Sequence, residues 1–206
     1  MDRPVKEVYA FDFDGTMTTH DTMLLFLRHS FGTPRVIAAM LLLSPLLVLM
    51  KMHFYPNWKV KQRLLSLFLK GMSVDEFESR CRRFAQSCPH VIRKAAVAEV
   101  KNALSRGFRV VVVSASVPAW VRPFFLQPDG TLPDGLTVIG TELEEWNGLL
   151  TGRLSSINCY GSEKVRRLLN ILPDRASYRL TAFGDSRGDR ELLSFADVAH
   201  YKPFRD

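Results

Sequence analysis

Val8-Tyr-Ala-Phe11-Asp12-Phe13-Asp14-Gly15-Thr16 is the stretch from which the rest of the chain is read. Its first four residues are apolar and β-prone, and the run stops at two acids and a glycine. It therefore reads as a buried strand that delivers Asp12 and Asp14 into a loop. In an extended segment residues two apart face the same side, so both carboxylates converge on one site. Acids paired at the end of an apolar strand repel each other. Such pairs persist where a cation is bound or where one acid stays protonated for proton transfer. The structural alternative is a loop-opening Asp followed by a capping Asp.

Downstream, the pattern alternates between strand and helix. Phe108-Arg-Val-Val-Val-Val113 is a β-branched run that follows an amphipathic stretch, Val91 to Ser105, closed by Gly107. A helix followed by a buried strand is half of a parallel βαβ arrangement. Leu136–Ile139, Tyr178–Phe183 and Val198–Tyr201 read as further strands, Ser162–Leu172 and Asp189–Ala196 as helices, and Leu149–Leu154 after Asn147-Gly148 as part of a hairpin. From Asp21 to about Gln86 the chain reads as helical, broken at Gly32-Thr33-Pro34, Tyr55-Pro56-Asn57 and Gly71. Ser73-Val-Asp-Glu76 is a capping box, which sets a helix start there. The expected fold class is α/β, a Rossmann-like three-layer parallel-sheet core of residues 1–20 and 90–206 with a helical cap, residues 21–89, inserted after the first strand.

Composition is consistent with this reading. The chain has 206 residues, 47% of them hydrophobic, and a formal charge of +7. That length suits one α/β domain with an insertion, and aromatics spread from Tyr9 to Phe204 argue against disorder. Cys81, Cys88 and Cys159 form no CxxC pair and fit a reducing compartment. Met1–Glu7 lacks the basic-then-apolar layout of a secretory leader, so a cytoplasmic location is expected, with a peripheral position at the inner face of the membrane left open.

The charge is unevenly placed. Thr22 to Lys94 holds twelve basic and three acidic residues, a net +9, which leaves −2 for everything else. Net charge speaks to partners, and a basic segment suits a nucleic acid, a phosphorylated substrate or an acidic membrane surface. The same segment carries the apolar run Val36 to Met50, closed by Arg35 and Lys51. As a helix it reaches about 22 Å, short of the ~30 Å hydrocarbon core, and Pro45 interrupts it. Three readings stand: a buried helix pair, an apolar surface lying in a membrane interface with basic flanks, and a spanning helix, which the length disfavours. The interfacial reading predicts binding to anionic vesicles through Arg35, Lys51, Lys59 and Lys61.

Three more polar clusters sit at the ends of strands or starts of helices, where open parallel sheets bind ligands. Gly184-Asp185-Ser-Arg-Gly-Asp189 follows an apolar strand. Hard divalent ions such as magnesium prefer one or two carboxylates, so Asp185 facing Asp12 and Asp14 suits one. Asp189 either holds a water of that ion or caps the next helix. Ser114 follows Val113 and offers a hydroxyl to phosphate oxygens. Lys164, in Gly161-Ser-Glu-Lys164, opens a helix against its dipole, which an anionic partner explains.

In the order Asp-x-Asp-Gly-Thr, Ser, Lys, Gly-Asp-x-x-x-Asp, these clusters resemble the four motifs of the haloacid dehalogenase superfamily. The insertion resembles that superfamily's type-one (C1) cap. Val113–Ser116, Gly140-Thr-Glu-Leu143, Leu150–Leu154 and Gly184-Asp-Ser look like the subfamily that includes phosphoserine phosphatase and phosphatidylglycerophosphatase C. The resemblance implies a phosphomonoester hydrolase in which Asp12 forms an aspartyl-phosphate and Asp14 serves as general acid and then base. It implies magnesium held by Asp12, the Asp14 carbonyl and Asp185, with Asp189 nearby. Lys164 and Ser114 would stabilise the phosphoryl oxygens. Ser114, Ala115 and Asp21 would contact substrate, Asp21 standing nine residues after the nucleophile where phosphoserine phosphatases carry a Glu. A lipid phosphate such as phosphatidylglycerophosphate and a small soluble phosphomonoester such as phosphoserine both fit, with phosphotransfer as a further option. A rival from another class is an anionic-membrane or nucleic-acid binding module with a vestigial site. The complete set Asp12, Asp14, Lys164 and Asp185 argues against that, and no nucleic-acid partner is expected.

Overall fold

The computed structural model describes residues 6–205, so most of the segment read as lacking a leader, 1–5, lies outside the described residues. Along the chain, β1 (Lys6–Phe11) is followed by α1 (Thr22–Phe31), α2 (Thr33–Leu42), α3 (Ser44–Lys51), α4 (Asn57–Leu69) and α5 (Val74–Ser87). Next come α6 (Lys94–Ser105), β2 (Arg109–Val113), the short α7 (Pro118–Val121), β3 (Leu136–Ile139), β4 (Leu143–Trp146) and β5 (Leu149–Leu154). The chain closes with α8 (Ser162–Ile171), β6 (Tyr178–Gly184), α9 (Arg190–Phe195) and β7 (Val198–Tyr201).

Five strands form one parallel sheet in the order β3-β2-β1-β6-β7, with β1 in the middle. The Val run of β2 shows why the sheet is covered on both faces. Val110 and Val112 join the apolar cluster that holds Phe11, Val100 of α6 and Trp120, while Val111 and Val113 join Val8, Ala10, Leu168 of α8 and Leu192 of α9. Successive residues point to opposite faces, so a strand buried on both reads as an unbroken apolar run. The result is the expected three-layer α/β architecture.

The helices of the insertion start and stop where the breakers stand. Gly32 separates α1 from α2, Pro56 precedes α4, and the Ser73 hydroxyl accepts from the Glu76 amide as the N-cap of α5. The insertion packs onto the sheet domain through aromatics: Phe26 stacks on Trp120 at 5.2 Å, and Phe84 meets Phe124 edge-on at 5.6 Å. The hairpin β4–β5 turns at Asn147 and Gly148, both at positive φ, as a type I′ turn requires. It also touches the insertion, since the Gly71 and Val74 amides donate to Leu150 and Gly148 carbonyls at 2.8 and 3.0 Å. At Gly152 of β5 a Cβ would meet the Ser66 Cα of α4 at 2.8 Å, so only glycine allows this approach.

The reading of 36–50 as a buried helix pair does not hold. The run is two helices, broken at Leu43, of which α2 buries only Val36 and Ala39 and α3 buries nothing. No single helix among the described residues is long and apolar enough to cross a membrane; α2 and α3 together are, but with a bend of 64° between them.

Candidate active site

β1 ends by donating the Asp12 amide to the Phe183 carbonyl of β6 at 2.9 Å, which fixes Asp12 at the carboxyl edge of the sheet. The chain then turns sharply, with Asp14 at φ −72, ψ 121 and Gly15 at φ 81, ψ −22, the two central residues of a type II turn. Glycine is needed there twice over. Its φ lies in the left-handed region, and a Cβ would stand 2.8 Å from the Asp185 Oδ2. The turn gives the two acids of the β1 motif different partners.

Asp12 is buried and accepts from Thr16 Oγ1 at 2.9 Å and from Lys164 Nζ at 2.5 Å. Lys164 reaches in from the first turn of α8, is 2% exposed, and also pairs with Asp189 at 2.5 Å. Burial pushes the Asp12 carboxyl up to about 7; Lys164 opposes the rise and Asp189 adds to it. For Lys164 burial disfavours the charge, but the two carboxylates outweigh it and its pKa is raised. Asp189 is likewise disfavoured by burial yet held below the usual carboxylate range by Lys164.

Asp14 faces the insertion. Its Oδ1 accepts from the Thr22 amide and hydroxyl at 2.7 and 2.6 Å, and its Oδ2 from the Ser116 hydroxyl at 2.6 Å, with Ser114 Oγ further off at 3.4 Å. Ser114 is buried, and its hydroxyl accepts from the Ser116 amide at 2.9 Å. Asp21 caps α1 by accepting from the Leu24 amide at 3.1 Å. Burial and the neighbouring Asp14 charge raise its pKa. Asp21 and Ala115 both line the pocket of about 250 Å³ that also exposes Asp12, Asp14 and Lys164.

Asp189 is not a side-chain cap for α9. Its Oδ2 accepts from the amides of Asp185 and Ser186 and from the Ser186 hydroxyl, closing a capping box on the turn Arg187–Asp189. With Oδ1 on Lys164, both of its oxygens are engaged. Asp185 accepts from Thr16 Oγ1 at 3.3 Å and from Arg205, whose guanidinium also donates to the Gly15 carbonyl.

Each of Asp12, Asp185 and Asp189 offers an oxygen within 4.8 Å of the others, while the Asp14 carboxylate is not among the three. An all-carboxylate donor set suits a hard divalent ion such as magnesium. The Arg205 guanidinium already shows that the Asp185 carboxylate accepts a cation.

Several residues of this site escape sequence reading. Lys61 of α4, expected to face a membrane, instead enters the pocket, where it donates to the Ala115 carbonyl and to Asn158 Oδ1 at 3.0 Å. Burial lowers its pKa to about 8, against the pull of Asp14 and Asp21. Thr141 braces the same spot, donating to the Ala115 carbonyl at 2.6 Å. Tyr160 and Asn158 complete the wall. Thr141 lies in the Gly140-Thr-Glu-Leu143 motif, but Lys61, Asn158 and Tyr160 carry no local motif, since the fold alone brings residues 61, 115 and 158 together. A larger groove of about 1000 Å³, lined by Met50, Trp58 and Ile157, joins the pocket at Asn57, Asn158 and Tyr160.

Residues 9–194 match the family model for haloacid dehalogenase-like hydrolases. Protein CicA of Caulobacter vibrioides is 38% identical over 201 residues, covering 95% of this chain and 86% of its own. A protein of unknown function from Bordetella pertussis Tohama I superposes with a TM-score of 0.77 at 20% identity, over 95% of this chain and 89% of that one. A substrate-bound phosphoserine phosphatase superposes with a TM-score of 0.61 at 17% identity, over 97% and 87%.

Proposed function

This chain belongs to the haloacid dehalogenase-like hydrolases, and on that premise we propose that it hydrolyses a phosphomonoester through an aspartyl-phosphate on Asp12. The observation that carries this reading is the buried Lys164 clamped between Asp12 and Asp189. A cation fixed beside a carboxylate at a strand end orients that carboxylate and offsets the charge of an approaching phosphoryl group.

In the first displacement an Asp12 oxygen attacks phosphorus as the bond to the leaving oxygen breaks, and Asp14, protonated, gives its proton to that oxygen. In the second, Asp14 as carboxylate takes a proton from water, which attacks phosphorus and releases Asp12. Thr22 and Ser116 hold Asp14 in place for both proton transfers. Ser114 donates to a phosphoryl oxygen, and Asp21, Ala115 and Lys61 bound the leaving-group side. Magnesium, held by Asp12, the Asp14 carbonyl and Asp185, would neutralise the phosphoryl oxygens. Asp189, with both oxygens engaged, positions Lys164 and the Asp185 loop.

For the leaving group, a membrane lipid phosphate such as phosphatidylglycerophosphate is favoured by the groove that joins the catalytic pocket, whose mixed lining sets Met50, Trp58, Leu154 and Ile157 among polar groups such as Gln62 and Arg153, as an amphiphile requires. A small soluble ester such as phosphoserine is the second reading, favoured by Asp21, an acid in the pocket suited to an ammonium. Three free thiols favour a reducing compartment, and a lipid substrate would bring the protein to the inner membrane face. The test is hydrolysis of p-nitrophenyl phosphate with magnesium, then of phosphatidylglycerophosphate and phosphoserine side by side. Turnover lost in Asp12→Asn supports the reading; no turnover of any of the three overturns it.

A further inference from the structure

α2 and α3 present an apolar face that no other part of the described chain covers. Ile37, Leu41, Leu42, Val48 and Leu49 are 40–69% exposed, and the face continues into Phe54 at 74%. A helix of eight residues such as α3 is well below the ~12–15 at which helices persist alone in water, so it depends on burial of its apolar side chains. Within the described chain that burial is only partial: Leu46 packs against the core, but no α3 side chain is fully buried.

Charge singles out what would supply it. Between Asp21 and Asp75 there is no acidic residue and there are seven basic ones. Lys61 is turned into the active site, but Arg35 and Lys51, which bracket the two helices, and Lys59, whose ammonium lies 5.5 Å from the Trp58 ring, are exposed. An apolar face flanked in sequence by exposed cations, within a segment free of acids, matches an anionic lipid surface, where each basic residue adds attraction and the apolar side chains sink below the headgroups. With a 64° bend between them, the two helices form a shallow wedge. Met50 of α3 and Trp58 of α4 are at once beside this face and on the wall of the groove that runs to the catalytic pocket.

We propose that the α2–α3 face docks into the interface of an anionic bilayer, with the groove behind it leading from the lipid surface to Asp12. Only the role of the groove rests on the phosphatase reading, since the docking is measured without turnover.

The experiment is co-sedimentation of the full chain with vesicles of phosphatidylcholine mixed with phosphatidylglycerol, and of phosphatidylcholine alone. Binding is expected to the mixed vesicles at low salt, weakening as salt rises. The double variant Leu42→Ser, Val48→Ser is expected to lower partitioning at least about tenfold, with p-nitrophenyl phosphate turnover and thermal midpoint unchanged. Arg35→Gln and Lys51→Gln are each expected to lower it about fivefold. Absence of binding at low salt, or binding that the serine variant leaves intact, overturns the proposal. So does a concentration-dependent dimer that the same serine variant dissolves, which would give the face to a second copy of the chain. Turnover of p-nitrophenyl phosphate without vesicle binding removes the docking alone; vesicle binding without turnover removes the phosphatase reading alone.

Discussion

Lys61, carried by α4 of the insertion, donates its ammonium to the carbonyl oxygen of Ala115, two residues beyond the end of β2. Residues 54 apart in sequence thus latch the helical insertion to the carboxyl edge of the sheet, on the wall of the catalytic pocket.

That latch is a titrating one. Burial brings the Lys61 pKa down to about 8, so the side chain is charged below pH 8 and loses its proton above it. A charged Lys61 attracts a phosphate dianion, so kcat/KM, which reports the free enzyme, is expected to fall as pH rises through about 8. Lys61→Met should have a lower kcat/KM and no such falling limb. A limb that survives unchanged in Lys61→Met would assign it to another group.

Lys164 is the counter-ion of two buried carboxylates. Lys164→Met leaves Asp12 and Asp189 uncompensated, a loss of about 3–5 kcal/mol, or roughly 6–20 °C in thermal midpoint for a chain of this size. Magnesium should then raise the midpoint of the variant more than that of the wild type, because a cation takes the place of the lost ammonium. A thermal melt with and without magnesium reads both; equal shifts would show that the carboxylates do not share a cation site.

Much of this arrangement was legible in the sequence. Asp12-Phe-Asp14-Gly15 at the end of an apolar run placed the two acids, the Val run of β2 announced a doubly buried strand, and Gly32, Pro56 and Ser73 marked helix ends because backbone chemistry is local. What stayed hidden depends on distant contacts. Lys61 counted as one basic residue among twelve until the packing of α4 on β5 turned it inward. The capping role of Asp189 on its own turn depends on the path of the loop, and the exposure of α3 depends on how little of it α2 and α4 cover.

Gly15→Ala tests the turn that separates the roles of Asp12 and Asp14. At φ 81 a side chain costs about 1–2 kcal/mol in stability. Its Cβ would also displace the Asp185 carboxylate, so the magnesium concentration for half-maximal activity is expected to rise at least about tenfold. Gly107→Ala, also at positive φ but with nothing within 4 Å, should show the stability loss alone. If both variants leave the magnesium requirement unchanged, Asp185 is not a ligand.

Acid-quenched mass spectrometry of the enzyme during turnover shows whether Asp12 is the nucleophile. p-Nitrophenyl phosphate is a suitable substrate, because its leaving group depends little on Asp14 for a proton. The prediction is one phosphoryl group on the peptide that contains Asp12, transient in the wild type and accumulating in Asp14→Asn, where water lacks its base. Turnover with no phosphorylated peptide in either protein, or with the phosphoryl group on another residue, would contradict the account.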